Sequence, residues 1–239
     1  MQKSSASDIE IAALDRAEIV LEPWRWQFAT ARREEITAHF AQIKQVRPGV
    51  WNGRILLLNR YAITGATLRG ACFETDYANL CAWRDWGFAD ASVYNVFAAA
   101  ALRSADGAYL VGEMAPATAN AGLLYFPCGT PEPGDLGPGG ALDLEANLAR
   151  ELLEETGIGI GELSAESGWT MVRDRCYLAL LKQVTSAQPA VELRARVMDH
   201  ISREQKPEFV GIRIVRSPAD FDPAMPRFVS AFLTYVWSR

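Results

Sequence analysis

The stretch ARELLEETGI, residues 149–158, places three glutamates and one arginine in a segment that has the spacing of an amphipathic helix. Asp143, a few residues upstream, is a favourable N-cap for such a helix. Gly157, followed by the apolar Ile158, is typical of a helix that stops at a left-handed residue. The sequence therefore predicts a helix from about Asp143 to Thr156.

The three glutamates of this helix are predicted to share one face. At about 100° per residue, Glu151 lies between Glu154 and Glu155, and the three carboxylates span an arc of roughly 100°. The residues predicted to point away from them, towards the core, are Ala149, Leu152 and Leu153. The sequence thus predicts one acidic face and one apolar face.

The acidic face has two interpretations. The first is a solvated surface, on which Arg150 pairs with Glu154 and offsets part of a repulsion of about a few tenths of a kcal/mol per like-charged pair. The second is a metal site, because Glu151 and Glu155 are one turn apart and Mg²⁺ prefers carboxylate and water oxygens together with substrate phosphates. The residues alone leave both interpretations open.

The run RELLEETGI, residues 150–158, resembles the second half of the Nudix box, R-E-U-x-E-E-x-G-U with U apolar, and matches it at every position. The first half of the box is G-x5-E-x7 in the family, and this sequence matches it less closely. If Gly129 opens the box, Asp135 takes the place of the glutamate and seven extra residues follow it. If Gly137 opens the box, Asp143 takes that place with one residue too few. We prefer the first alignment because Gly129 directly follows a predicted strand.

The resemblance implies a Mg²⁺-dependent enzyme, with Mn²⁺ as the alternative ion, and a set of site residues. Arg150 would orient the box glutamates through a salt bridge. The general base lies outside the box and varies in position within the family, and the candidates for it here are Glu208 and, just before it, Glu204. The implied metal ligands are Glu151, Glu154, Glu155 and the carbonyl of Cys128, and the implied catalytic residues are Arg150, Glu151, Glu154 and Glu208. No substrate-binding residue is predicted.

The reaction implied by the resemblance is hydrolysis of the diphosphate bond of a nucleoside diphosphate linked to another moiety. A UDP-sugar is favoured over ADP-ribose because the segment WNGRILLLNRYAITG, residues 51–65, resembles the extended Nudix proteins that cleave UDP-sugars. The alternative is a catalytically reduced Nudix-fold module that binds nucleotides or regulates. The altered first half of the box motivates this alternative.

Strand and helix patterns alternate along the chain, which predicts an α/β (α+β) Nudix-type α/β/α sandwich with a mixed sheet and an N-terminal α/β extension. We expect a helix and β-hairpin subdomain over residues 1–89, which would select the substrate, and a Nudix hydrolase domain over 90–239. Further predictions are a helix over Glu22–Val46, a turn at Asp106-Gly107 with positive φ at both positions, and strands over residues 122–127 and 168–186.

Composition limits the classes of partner. The 239 residues carry a net charge of −5, so we expect no nucleic-acid binding, and an RNA-processing enzyme of the same fold is disfavoured. The sequence has no apolar run of about 20 residues and no signal-peptide core at its start, which predicts a cytoplasmic protein without a membrane partner. We expect a small nucleotide derivative as substrate, and the sequence leaves open whether the chain forms a homodimer.

Overall fold

The computed structural model of the chain describes residues 9–239. Residues 1–8 lie outside the described residues. The strands are β1 (Ile9–Leu14), β2 (Arg16–Leu21), β3 (Arg54–Thr64), β4 (Thr67–Asp76), β5 (Asn95–Arg103), β6 (Tyr109–Met114), β7 (Leu124–Tyr125), β8 (Cys128–Gly129), β9 (Ser164–Ala165), β10 (Trp169–Asp174), β11 (Tyr177–Thr185) and β12 (Phe209–Val215). The helices are α1 (Gln27–Ala31), α2 (Arg33–Val46), α3 (Tyr77–Asp85), α4 (Leu144–Thr156), α5 (Ala190–Arg203) and α6 (Arg227–Trp237).

A nine-stranded mixed sheet forms the larger layer of the fold, with its main strands in the order β1-β10-β11-β5-β6-β12. Strands β11 and β5 are parallel, whereas β10 is antiparallel to both of its neighbours. Strands β5 and β6 pair at a single position, Arg103 opposite Tyr109. Beyond it the short strands β7 and β8 pair with β6 and β5 respectively. This arrangement places Cys128 and Gly129 within the sheet.

Helices cover both faces of this sheet. Along β5, Val96 and Ala98 belong to one hydrophobic cluster, whereas Phe97 and Ala99 belong to the other. Helices α4 and α5 bring their apolar residues to the first cluster, and α6 brings its apolar residues to the second. Because β5 is buried on both faces, its sequence is a continuous apolar run. The predicted α/β sandwich with a mixed sheet is confirmed.

A second, three-stranded sheet has the order β2-β4-β3, with β2 parallel and β3 antiparallel to β4. Two tryptophans are buried in the cluster that packs against it, and the rings of Trp26 and Trp83 are 5.8 Å apart. The indole nitrogen of Trp26 donates to the Asp90 carboxylate at 2.9 Å. The predicted division at residue 89 stays a prediction. Strand β1 lies before that division but pairs with β10 of the large sheet.

The N-terminal helix predicted over Glu22–Val46 is wrong over its first five residues, 22–26, which are not helical. Strand β2 reaches Leu21 opposite Cys72, and the amide of Glu22 still donates to the Cys72 carbonyl at 2.8 Å. Pairing with β4 therefore keeps the chain extended as far as Glu22, and the helical residues are those of α1 and α2. The segments that form β1 and β2 were not predicted as strands.

The turn at Asp106-Gly107 connects β5 to β6, but not in the predicted conformation. Gly107 has a φ of 84°, whereas Asp106 is not among the non-glycine residues with positive φ. The amide of Gly107 donates to the Ser104 carbonyl at 3.0 Å, so the chain makes a turn over residues 104–107. The Asp106 carboxylate accepts from the amide of Ala190 at 2.7 Å, which connects this turn to the start of α5.

Two other predicted strands are shorter or divided. Only Leu124–Tyr125 of residues 122–127 is a strand, since Pro127 has no amide to donate to a neighbour. Residues 168–186 form two antiparallel strands, β10 and β11, which meet at Arg175 with a φ of 57°. Within residues 9–239, no helix is long and apolar enough to cross a membrane.

Candidate functional site

Helix α4 carries most of the candidate site, and its ends are those predicted. The side chain of Asp143 accepts from the amide of Ala146 at 2.9 Å, which makes it the N-cap. At the other end Gly157 is left-handed, with a φ of 69°, and its amide donates to the Leu153 carbonyl at 2.8 Å. The helix is therefore defined by local interactions at both termini.

The three glutamates of α4 do not share one solvated face. Glu151 and Glu155 are buried, with exposed fractions of 8% and 5%, whereas 59% of the Glu154 side chain is exposed. Leu152 is fully buried as predicted, but Leu153 is 51% exposed, so its predicted core position is wrong. Helix α4 packs on the sheet through the side that carries Glu151 and Glu155 as well as its apolar residues. The solvated-surface interpretation fails for these two glutamates.

Gly129 and Glu151 are in direct contact. A Cβ at Gly129 would lie 2.1 Å from Oε1 of Glu151, so a larger residue would displace the carboxylate. At Gly137, the alternative opening residue of the box, a Cβ would come no closer than 3.6 Å to the carbonyl of Ala141. The close approach of backbone and carboxylate favours the alignment in which Gly129 opens the box.

Asp135 lies in the position that this alignment assigns to the early glutamate. Its side chain is buried and its Oδ2 is 3.1 Å from Nη2 of Arg150. The same oxygen accepts from Nδ2 of Asn147 at 3.0 Å and from the amide of Glu132 at 2.9 Å. The backbone carbonyl of Asp135 accepts from the amide of Asp143 at 2.8 Å, so the lengthened loop folds back onto the start of α4. Asn147 is a member of this network that the sequence analysis missed.

Arg150 joins Asp135 to the glutamates. Its Nη1 is 2.9 Å from Oε1 of Glu151 and 3.2 Å from Oε2 of Glu154. The second of these contacts is the predicted i, i+4 pair. Desolvation opposes the charged guanidinium, but the carboxylates of Glu151, Asp135 and Glu154 together raise the pKa of Arg150. The arginine thus connects the loop to two of the box glutamates.

Glu155 is the most deeply placed of the box carboxylates. Its Oε2 accepts from the amide of Cys128 at 3.0 Å, which ties the helix to β8. Burial raises the pKa of Glu155 well above its ordinary value, and the nearby charges of Glu208 and Glu151 raise it further. The structure shows the amide of Cys128 in contact with Glu155, and the predicted role of its carbonyl as a metal ligand stays a prediction.

Glu151 and Glu208 also have raised pKa values. Burial raises the pKa of Glu151 to about 7, and the charges of Glu154 and Glu208 act in the same direction. The pKa of Glu208 is raised by desolvation and by the charge of Glu154, although its side chain reaches the surface. The carbonyl of Glu208 accepts from the amide of Ala115 at 2.7 Å, just before β12 begins. These mutual effects show that Glu208 lies next to the α4 carboxylates.

The second candidate for the general base is not brought to this cluster. Glu204 is the exposed C-cap of α5. Among residues 9–239, no ion pair or side-chain hydrogen bond of Glu204 is present, and its charge is not among those that act on Glu151, Glu155 or Glu208. The geometry therefore favours Glu208 over Glu204.

The donor atoms of this cluster suit a hard divalent cation. Within the described part of the chain, no group of three or more His, Cys, Asp or Glu side chains is already close enough to hold a metal. Mg²⁺, however, takes one or two carboxylates and completes its octahedron with water and substrate phosphates. The two buried carboxylates, whose neighbours are also acidic, would be stabilised in their charged form by such an ion. The residues present fit Mg²⁺ on this chemistry.

Solved structures similar to this chain include two Nudix hydrolases and a MutT protein. The alignment with the Nudix hydrolase from M. smegmatis has 16% identity and a TM-score of 0.39, and covers 61% of this chain and 89% of that one. The MutT protein from Methanosarcina mazei Go1 has 18% identity and a TM-score of 0.39, with coverages of 61% and 94%. The Nudix hydrolase from Nitrosomonas europaea has 20% identity and a TM-score of 0.35, with coverages of 61% and 91%.

No protein-family model matches the chain, and no curated protein matches it. The structural likenesses are too distant to support a function. Any functional conclusion therefore depends on the residues of the site itself.

Proposed function

We propose that this protein is a Mg²⁺-dependent Nudix pyrophosphohydrolase that cleaves the diphosphate bond of a nucleoside diphosphate linked to another moiety. One observation carries the proposal: Glu151 and Glu155 are buried one turn apart on α4, with raised pKa values, beside Glu154 and Glu208. Burying two carboxylates together is costly unless they stay protonated or bind a cation. A metal site accounts for the burial of these two carboxylates, whereas a solvated helix face does not.

The metal ligands are proposed to be Glu151, Glu154, Glu155 and the carbonyl of Cys128. Since no three such side chains among residues 9–239 are already close enough to hold a metal, the three carboxylates would move closer together as the ion binds. Mn²⁺ is the alternative ion. A divalent cation bound there neutralises phosphate charge and lowers the pKa of a bound water. Glu155 is held for this role by the amide of Cys128, and Glu151 is held by Arg150.

Arg150 is proposed to act through the glutamates that it orients. Its guanidinium is bonded to Asp135, which is itself held by Asn147 and by the backbone of Glu132. Such supporting contacts fix the direction of the ligands and are needed for precise metal binding. Arg150 is therefore a positioning residue in this proposal.

Glu208 is proposed to accept the proton of the attacking water. Its raised pKa brings it closer to neutral pH, where a general base is most effective. The oxygen of that water attacks one phosphorus, and the bond from this phosphorus to the bridging oxygen breaks. The reaction then releases two phosphorylated halves.

A UDP-sugar is proposed as the substrate in preference to ADP-ribose. The support is the sequence of residues 51–65, which includes most of β3 and resembles the extended Nudix proteins that cleave UDP-sugars. The N-terminal segment would then select the substrate.

A substrate panel tests this proposal. Purified protein is incubated with UDP-sugars and ADP-ribose in the presence of Mg²⁺, and the products are identified by chromatography. We expect turnover that Glu155→Gln abolishes, because the amide cannot supply a charged ligand. Glu192→Gln, an exposed change on α5, is the matched control and should retain activity.

Two results would contradict the proposed enzymatic activity. One is the absence of turnover across the panel, and the other is turnover that Glu155→Gln leaves unchanged. Calorimetry then tests the alternative of a catalytically reduced binding or regulatory module. Such a module would bind a nucleotide with Mg²⁺ present and release it unchanged.

A further inference from the structure

A cavity of about 530 Å³ lies between helices α2 and α3, the end of β7 and the start of β11. This volume is within the range of about 300–1,000 Å³ that is usual for small-molecule sites. Three parts of the chain contribute to it: α2 with the residues after it, α3, and the segments around β7 and the start of β11. The lining residues used below are Gln42, Arg47, Arg84, Asn120, Tyr125 and Tyr177.

The backbone connects this cavity to the carboxylate cluster. Tyr125 lines the cavity and is three residues before Cys128, whose amide donates to Glu155 at 3.0 Å. On another side, the loop that carries Asn120 starts at Ala115, whose amide donates to the carbonyl of Glu208 at 2.7 Å. The two segments that line the cavity are therefore hydrogen-bonded, through the amides of Cys128 and Ala115, to the Glu155 carboxylate and to the backbone carbonyl of Glu208.

Positive charge in the cavity comes from two arginines. Arg84 is 2.9 Å from the carboxylate of its neighbour Asp85, which partly neutralises it. Arg47 is the C-cap of α2, and among residues 9–239 no carboxylate lies within ion-pair distance of it. An arginine of this kind is suited to bind a phosphate with two parallel hydrogen bonds.

The remaining lining suits a nucleoside. Tyr125 and Tyr177 contribute aromatic rings, on which a base or sugar can pack. Gln42 and Asn120 contribute amide groups that both donate and accept hydrogen bonds, as the edge of a base requires. A second cavity, of about 630 Å³, is lined by Glu22, Glu74 and Arg25, so its charged side chains are net negative. The charged lining residues of the cavity between α2 and α3 are Arg47, Arg84 and Asp85, which are net positive and suit an anion better.

We infer that the cavity between α2, α3 and β7 binds the nucleoside monophosphate half of the substrate. Arg47 and Arg84 contact the phosphate, Tyr125 and Tyr177 pack against the nucleoside, and the amides of Gln42 and Asn120 read the base. This inference deepens the proposed function and rests on it. It assigns substrate binding to a surface that the N-terminal helices share with the large sheet.

The test measures the binding of UMP and of AMP to the full chain by calorimetry. The buffer contains EDTA, so the measurement does not depend on hydrolysis. Arg47→Ala and Asn120→Ala are the test variants, since both side chains are partly exposed and their loss leaves the core intact. Arg33→Ala is the matched control, because it removes the same charge from α2 at roughly 20 Å from Arg47.

We expect a nucleoside monophosphate to bind the wild type and the Arg33→Ala variant equally. Arg47→Ala and Asn120→Ala should weaken that binding by about tenfold, as expected when one charged or buried hydrogen bond is lost. In turnover assays both variants should raise KM with little change in kcat, since they remove binding that is common to the ground and transition states.

The possible failures can be distinguished. If the substrate is hydrolysed but neither variant changes KM or UMP and AMP affinity, the cavity is not the nucleotide site and the proposed function stands. If a nucleotide binds in a manner that depends on Arg47 but no substrate is hydrolysed, the cavity is supported and the proposed enzyme is wrong. Absence of both binding and hydrolysis overturns both.

Discussion

The carboxylate of Glu151 lies against the backbone of Gly129, so closely that a Cβ at residue 129 would be 2.1 Å from Oε1. Gly129 lies in β8, which pairs with β5, and Glu151 lies on the buried side of α4. Helix and strand therefore meet at a glycine because a charged side chain occupies the space between them. The candidate site depends on this contact.

Gly129→Ala should lower both activity and stability. The added methyl group must displace the Glu151 carboxylate, and overpacking of this kind costs about 1–3 kcal/mol. Thermal unfolding and the rate of substrate cleavage measure the two effects, with activity expected to fall at least about tenfold. Gly134→Ala is the control, because a Cβ there meets nothing within 4 Å. Wild-type behaviour of Gly129→Ala would show that the contact is not required.

Replacement of Asp135 and of Asp143 should separate the two alignments of the box. Asp135→Ala leaves Arg150 and Asn147 without their shared partner, which should lower kcat and cost about 1–3 kcal/mol of stability. Asp143→Ala removes only the N-cap of α4 and should cost about 1 kcal/mol without a specific loss of kcat. Urea unfolding and steady-state kinetics check both variants. The reverse pattern would favour the alignment that begins at Gly137.

Mg²⁺ should raise the melting temperature of the protein, since a ligand that binds only the folded state stabilises it by mass action. Glu155→Gln should abolish this shift. Without metal, Glu155→Gln should be at least as stable as the wild type, because it removes a buried group that resists ionisation. Thermal melts in EDTA and in Mg²⁺ measure both effects, with Glu192→Gln as a control that should shift like the wild type. Equal shifts in all three proteins would exclude Glu155 as a ligand.

In EDTA, the stability of the protein should fall as the pH rises from about 4.5 to about 7. Burial raises the pKa of folded Glu151 to about 7 from 4.5, so in this range the folded state binds more protons than the unfolded state. The free energy of unfolding therefore decreases with pH across that range. Glu151→Gln should flatten this part of the profile in urea titrations at several pH values. If the free energy of unfolding of Glu151→Gln falls with pH as steeply as that of the wild type, Glu151 is not the cause of this pH dependence.

Leu152→Ala and Leu153→Ser test the orientation of α4. Leu152 is fully buried, so its truncation should cost about 2–5 kcal/mol in the free energy of unfolding. Leu153 is 51% exposed, and its replacement by serine should change stability by about 0.5 kcal/mol or less. Denaturant titrations compare the two. Similar large losses at both positions would mean that α4 presents a different side to the sheet.

Much of the local structure could be predicted from the sequence. Both ends of α4 follow from its N-cap residue Asp143 and from Gly157, which ends the helix. These signals act over a few residues and need no distant partner. The pairing of Arg150 with Glu154 was predictable for the same reason.

Contacts between distant segments could not be predicted in this way. The extension of β2 through Leu21 depends on its pairing with β4, which begins 46 residues after β2 ends. The position of Gly129 in the sheet depends on β8 pairing with β5. Asn147 became a site residue because the lengthened loop folds back and brings Asp135 to it.

By itself, the sequence determined that α4 exists, where it begins and ends, and that it carries a box-like run of charged residues. Helical periodicity and capping are local properties, so a single segment is enough to reveal them. Only the tertiary structure decided that Glu151 and Glu155 are buried, that Leu153 is exposed, and that Glu208 lies beside them. The physical reason is that burial and electrostatic coupling depend on which distant elements pack against a helix, and periodicity within that helix does not specify them.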